Sequence, residues 1–344
     1  AMGFDATTFG NHEYDYLQSG LIGMLNAAAD SGDPVPTIVN ANYWPPKEGQ
    51  EGYSEAMWDA PANYGVKKYT ILERGGVYYL LFGIFGFDAD DCAPNSGMVM
   101  EDPIETAKAA VAAGVAECES EYGVHPVVVC LSHSGTSGGK GEDYELAEAV
   151  DGIDVIISGH THTTLSEPIE VNGTLIVSAA EYGRNLGVLK FQKKGDGVTL
   201  KSYELIPIDE NVAEDADIAA LVENYKAAVE SDYLSKYGFT FDQVLVNNPY
   251  TFDTVKQVYA TQHESTLCNI FSDAYKRAVE RVTGKKVDVA ITAAGVIRGS
   301  LPVGQVTVSD VFNAASLGVG TEGELIAIYV TGKDLKNAIE LDAS

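Results

Sequence analysis

The amino-acid pattern predicts an α/β protein built as two successive domains, on three observations. Residues 127–131 are an uninterrupted apolar run and residues 153–157 a second one broken only by Asp154, as expected of strands buried on both faces. An alanine-rich stretch with helical spacing, residues 104–122, leads directly into the first of them. After an acidic segment at 207–217 and a helical stretch at 218–237, the strand-and-helix pattern restarts near Val244. The 344 residues leave room for two cores.

In chain order, a short apolar run from Ala6 to Phe9 reads as the end of a strand. Residues 17–29 have helical spacing and stop at Ser31-Gly32-Asp33-Pro34. Residues 37–42 read as a brief strand. Residues 43–64, rich in Pro, Gly, Tyr and Trp, read as an irregular loop. Residues 66–72 and 77–84 pair as strands across Arg74-Gly75-Gly76. Beyond the two buried runs come strands at 175–178, 187–192 and 198–205, the last two joined by the hairpin signal Lys194-Gly195-Asp196-Gly197. The restart contains a strand from Val244, a helix at 265–283, a strand at 287–293, a short helix from Ser309 and a strand at 325–330.

The balance of 22 basic against 50 acidic residues gives a net charge of −28. That field argues against nucleic acid and anionic membrane as partners. It also repels a phosphorylated small molecule, which would then need local positive charge such as a bound metal. Cys92, Cys118, Cys130 and Cys268 have no C-x-x-C spacing and read as isolated thiols. The longest apolar run, 78–87, is too short for the roughly 20 residues of a membrane span.

Four of the six histidines follow strand ends. The first lies in Phe9-Gly10-Asn11-His12-Glu13-Tyr14-Asp15, the second in Ser132-His133-Ser134-Gly135, the others in Ser158-Gly159-His160-Thr161-His162. In open α/β sheets, ligands collect beyond the carboxyl ends of strands. Asn11, His133, His160 and His162 offer neutral oxygen and nitrogen donors suited to Zn, Mn or similar divalent ions. His160 and His162, two apart, suit two neighbouring ions better than one. Asp15 is spaced to hold His12 in one tautomer, which makes the two a candidate catalytic pair. The plainer alternative for the heptapeptide alone is a turn with a helix cap. His125, beside Pro126, lies outside these loops and reads as structural.

The motifs Gly10-Asn11-His12-Glu13, Ser132-His133 and Gly159-His160-Thr161-His162, in this order, resemble the calcineurin-like metallophosphoesterases. Tyr182-Gly183-Arg184-Asn185-Leu186-Gly187 and the segment Gly295-Val296-Ile297-Arg298-Gly299-Ser300 narrow the resemblance to the 5′-nucleotidase family, with its UDP-sugar hydrolases and 2′,3′-cyclic-nucleotide phosphodiesterases. The resemblance implies an αββα-sandwich domain over residues 1–210, a linker helix region at 211–243 and a smaller α/β substrate-recognition domain at 244–344. It implies two divalent ions, with Asn11, His133 and His160 on one and His162 on the other. A metal-bound hydroxide would attack the phosphorus, with His12 and Asp15 assisting. Arg298 would hold the substrate's phosphate, Gly295 would be a further substrate-binding position, and the substrate would be a nucleotide or related phosphoester. Family membership also implies an extracellular, cell-surface or periplasmic location.

Three departures shape the expectation. The family's Asp-x-His and Gly-Asp motifs, which complete the first ion's ligands, have no counterpart before Ala1-Met2-Gly3-Phe4-Asp5, and Asp5 matches a structural position. His162 alone holds an ion poorly, so the chain as given is expected to bind one ion or none and to lack normal activity. Adding an upstream segment with those motifs should restore metal-dependent hydrolysis. Ala293 and Ser316-Leu317-Gly318 replace an asparagine and a base-stacking aromatic, and His263 falls where relatives carry a phosphate-binding arginine. The end of the chain also omits the family's second base-clamping aromatic. These leave open a cyclic-nucleotide or non-nucleotide phosphoesterase, or a degenerate surface binding module without catalysis.

Overall fold

The computed structural model describes residues 2–260, 264–317 and 325–342, and the chain divides into two units, Ala1–Ile218 and Ala219–Ser344. The first unit opens with β1 (Ala6–Thr7), α1 (Leu17–Asp30), β2 (Thr37–Ile38), β3 (Tyr43–Trp44) and α2 (Glu55–Tyr64). It continues through β4 (Tyr69–Arg74), β5 (Val77–Phe85), α3 (Phe87–Asp91), β6 (Val99–Met100), α4 (Pro103–Tyr122), β7 (Val127–His133) and α5 (Glu142–Ala149). Then follow β8 (Val155–Ser158), β9 (Ile169–Val171), β10 (Thr174–Val177), β11 (Asn185–Lys194), β12 (Gly197–Pro207) and α6 (Ala216–Asp232), which crosses into the second unit.

One sheet organises the first unit, in the strand order β4-β5-β7-β8-β10-β9. Its inner strands β5, β7, β8 and β10 run parallel, and β4 and β9 close the edges antiparallel. Alternate residues of these strands face two separate cores, as the period of two requires. Leu80, Phe82, Val128, Cys130, Ile156 and Ile176 pack under α4 and α5. Leu81, Val127, Val129, Val155 and Val177 pack against Leu189, Phe191, Val198 and Tyr203 of the β11–β12 hairpin. The layers are thus helix, sheet and sheet, with the second sheet formed by a long two-stranded hairpin.

Helix α4 forms because its ends are marked as well as its face. Asp102 accepts the Glu105 N–H at 2.9 Å, Pro103 fills the first turn, and Gly123 ends the helix in the left-handed region at φ 71°. Small residues bring it close to the sheet. A Cβ on Gly114 would stand 2.3 Å from a Leu80 methyl, so the helix reaches β5 only because that position is glycine.

The stretch 43–64 departs from the loop expected of its composition, since residues 55–64 are α2 despite Pro61. Met57 and Ala60 are buried with Leu21 and Leu25 of α1, and Trp58 stacks on Trp44 at 5.9 Å. Apolar burial at helical spacing outweighs the helix-breaking residues here.

The second unit contains a 3-10 turn at Leu234–Tyr237, then β13 (Val244–Asn248), α7 (Val255–Ala260), α8 (Thr266–Thr283), β14 (Gly304–Thr307), α9 (Val308–Ala314) and α10 (Gly332–Asp342). Its core gathers Leu267, Phe271, Ile297 and Ala314. Among the described residues its one ladder is antiparallel β13–β14. The strands expected at 287–293 and 325–330 are absent: these runs carry no regular element, and Ile326 and Tyr329 are 83% and 90% exposed. An apolar run becomes a strand only where a neighbour accepts its hydrogen bonds. His263 and Gly318 lie outside the described residues.

Candidate active site

The parallel strands of the first unit deliver their carboxyl ends to one edge. Phe85 of β5 is in register with His133 of β7, and Ser132 with Ser158 of β8. His133 therefore ends its strand beside the turn into α3 and the loop that follows β8. Cross-links tie these loops together. Gly86 donates to the His133 carbonyl at 3.2 Å, Gly159 to the Ser132 carbonyl at 2.9 Å, and Thr136 to Thr161 Oγ1 at 3.1 Å.

Asn11 and His12 arrive on a 3-10 turn, Asn11–Tyr14, held by Glu13, whose carboxylate accepts the Gly10 N–H at 2.5 Å. Burial raises the Glu13 carboxyl above the ordinary range, against the pull of that same N–H. Asn11 Oδ1 lies 2.9 Å from His133 Nε2, and the His133 and His160 ring centres are 5.0 Å apart. A Cβ on Gly10 would fall 2.7 Å from His133 Cε1, so the close approach of the two loops depends on that glycine. His12 Nδ1 pairs with Asp15 Oδ2 at 2.9 Å.

Of the eight residues singled out by sequence, Asn11, His133 and His160 share this pocket. Burial, reinforced by His160, His12 and His162, lowers His133 to about 4. At neutral pH its imidazole is therefore uncharged, with a ring nitrogen available as a ligand. His162 turns toward Tyr182, ring centres 5.6 Å apart, and Arg184 lies over the same tyrosine. His160 and His162 both adopt left-handed backbone, at φ 67° and 55°, as does Tyr182 at 59°. Such conformations in non-glycine residues cost on the order of 1–3 kcal/mol each and gather at functional sites.

Arg298 and Gly295 belong to the second unit. Gly295 is in an exposed 3-10 turn, Ala294–Val296. Arg298 follows it and is half-buried, its N–H bonded to the Ala314 carbonyl at 2.8 Å. Tyr259 braces the segment through the Ile297 carbonyl at 2.8 Å. His125 pairs with Glu119 at 2.8 Å, away from the histidine loops.

Three contributors were not anticipated. Asp88 Oδ2 lies 2.7 Å from His160 Nε2. Cys92, read from sequence as an isolated thiol, groups with Asp88 and His160, their ligand atoms all within 4.8 Å of one another. Glu142 steadies this arrangement by accepting the Phe87 and Asp88 N–H groups at 2.7 and 2.9 Å. The available signal was the Asp88 to Cys92 spacing, one helical turn, immediately after a strand.

Beneath the loops Asp143 is fully buried and accepts the Ser132 hydroxyl at 2.5 Å. Burial pushes its carboxyl up to about 6 despite that bond. The four cysteines form no disulfide, and among the described residues no helix is long and apolar enough to cross a membrane.

Residues 246–344 match the family described as 5′-nucleotidase, C-terminal domain. The chain is a relative of the 5′-nucleotidases. It is 30% identical to the trifunctional nucleotide phosphoesterase protein YfkN of Bacillus subtilis, over 98% of this chain and 23% of that one. It is 27% identical to an apyrase of Tabanus yao, over 98% of this chain and 58% of that protein. The fold is that of the 5′-nucleotidase precursor from Thermus thermophilus, with a TM-score of 0.68 at 24% identity over 92% of this chain and 58% of that structure. The chain spans about a quarter of the length of two Bacillus subtilis relatives, at 23% and 26%. The α/β fold and the kinship expected from the motifs are therefore as found.

Proposed function

We propose that this chain carries the catalytic machinery of a metal-dependent phosphoric-ester hydrolase of the 5′-nucleotidase type, acting on nucleotides outside the cytoplasm. The observation that carries the reading is the meeting of Asn11 Oδ1 and His133 Nε2 at 2.9 Å beside His160, with the His12–Asp15 pair on the same turn as Asn11. The donor set suits a divalent ion: one neutral amide oxygen and imidazoles, with His133 held neutral. Asn11, His133 and His160 would hold one ion and His162 would contribute to a second. A metal bound there supplies Lewis acidity and a water of lowered pKa.

The residues themselves do the rest. Asp15 accepts a hydrogen bond from His12 Nδ1–H, which orients the ring, and with a proton on Nε2 as well the imidazolium would meet charge building on the phosphoryl oxygens or give that Nε2 proton to the leaving oxygen. Arg298 is assigned to the substrate's phosphate, for which a planar, always-charged guanidinium is suited, and Gly295 to substrate binding beside it. Residues 246–344, matching the 5′-nucleotidase C-terminal domain, support a nucleotide as substrate.

The chain as given is expected to lack normal activity, so the test is phosphate release from AMP, with added Mn²⁺ or Zn²⁺, by the chain extended upstream with the Asp-x-His and Gly-Asp motifs. His12→Ala is expected to lower kcat by roughly 10²–10⁴-fold while metal binding persists. Equal rates in the two proteins would overturn the assignment. Exposed Ala293, together with Leu317, favours a second substrate reading, so 2′,3′-cyclic AMP and p-nitrophenyl phosphate belong in the same assay. Metal analysis addresses the binding-module reading: a protein that takes up no ion and releases no phosphate from any of these esters supports it.

A further inference from the structure

We propose that Asp88, Cys92 and His160 form a thiolate-containing site for a divalent ion of the zinc type, at the edge of the histidine loops. The site competes with the centre proposed above for His160, since a neutral imidazole ligates one ion at a time, and otherwise stands on separate residues. Helix α3 begins directly at the carboxyl end of β5, and the Cys92 N–H bonds to the Asp88 carbonyl at 3.1 Å. One helical turn therefore sets the carboxylate and the thiol on a common face. The loop after β8 brings His160 Nε2 to 2.7 Å from Asp88 Oδ2.

The three ligand atoms lie within 4.8 Å of one another. Zinc bonds to sulfur, nitrogen and oxygen run from about 2.0 to 2.3 Å, so two of them reach across roughly 4 Å. Asp88 and Cys92 are exposed and can close that difference by rotation. His160 is constrained instead, by its left-handed backbone and a largely covered side chain. Glu142 holds the first turn of α3 from below through two N–H groups.

Three protein ligands with a fourth position open is the arrangement of a zinc site that can take water or substrate. Binding replaces the His160–Asp88 hydrogen bond by the ion, with the neutral ring's proton on Nδ1, and releases the Cys92 thiol proton to solvent, so affinity rises with pH. A thiolate shifts preference away from Mg²⁺ and Mn²⁺ toward softer ions, which histidine and asparagine donors alone do not do.

The experiment is titration of the metal-free protein with Co²⁺ alone, followed by absorption. The expected result is a near-ultraviolet thiolate-to-cobalt band that is lost in Cys92→Ser and in His160→Ala and retained in Cys268→Ser. Asp88→Asn is expected to weaken Co²⁺ binding by no less than the roughly 10–100-fold that loss of an outer partner costs. Far-ultraviolet circular dichroism of each variant checks that the fold is kept. Bound Co²⁺ without the band, a band that survives Cys92→Ser or His160→Ala, or no Co²⁺ uptake overturns the proposal. Bound Co²⁺ without the band leaves the phosphoesterase reading standing. Conversely, the band in a protein with no phosphatase activity on any ester tested supports this site while counting against that reading.

Discussion

The loops after β7 and β8 each bring histidine to the same edge, but they do so by different physics. His133 is still part of the ladder, opposite Phe85, and its backbone is ordinary strand. The strand order and register place it at no conformational cost, and the price falls on its side chain, whose burial disfavours the charged form. His160 and His162 lie beyond the ladder on left-handed backbone, so there the cost falls on the main chain. A residue placed by a sheet is cheap to position and insensitive to its own identity. A residue placed by a strained loop is retained for what its side chain does.

The largest expected effect separates the side-chain cost from everything else. His133 has a folded-state pKa of about 4 against 6.5 ordinarily, so the unfolded chain takes up its proton first as pH falls. Its contribution to stability is complete above 6.5 and is lost as pH falls toward 4, by about 3 kcal/mol at most. Asp143 works in the opposite sense: with a folded pKa of about 6 against 3.8, it destabilises increasingly as pH rises from about 4 to 6. The two offset each other between pH 4 and 6. In metal-free protein, denaturant unfolding at a series of pH values should show Asp143→Asn losing stability on acidification more steeply than the parent. His133→Ala should lose it less steeply, and parallel curves for all three would break the comparison.

The next effect tests how tightly the β7 histidine is held. Gly10→Ala drives a methyl into the His133 ring, and overpacking of this kind costs about 1–3 kcal/mol. Weaker metal binding by calorimetry should accompany the lower midpoint of unfolding. An unchanged metal affinity would mean the Asn11–His133 contact is not part of the site.

The smallest effect isolates the main-chain cost. His160→Gly relieves the left-handed backbone, worth roughly 1 kcal/mol by removing Cβ. It also removes a ligand and its bond to Asp88. Metal-free stability is expected to hold or rise while metal affinity falls. A fall in both would show that His160 serves the fold as much as the site.

Much of this was legible in the chain. Residues 127–131 could be read as a central strand because burial on both faces leaves no polar position, and 153–157 carries only Asp154, which is buried and accepts the Val128 N–H at 2.8 Å. Helix α4 was readable because its spacing lies between strong end signals. Helix α2 was not, since Pro61 and its aromatics look like loop composition until α1 covers Met57 and Ala60. In the second unit the runs at 287–293 and 325–330 have strand composition without a ladder. Cys92 looked isolated because sequence spacing relates it to Asp88 and says nothing of His160, 68 positions away by number.

By itself the sequence determined which residue types could do chemistry and that histidines follow strand ends, because apolar runs and loop motifs are local patterns. The tertiary structure alone decided which of these groups meet: Asn11 with His133, and His160 with Asp88 and Cys92. Those meetings depend on strand order, register and the close approach allowed at Gly10, all set by long-range packing that no local pattern encodes.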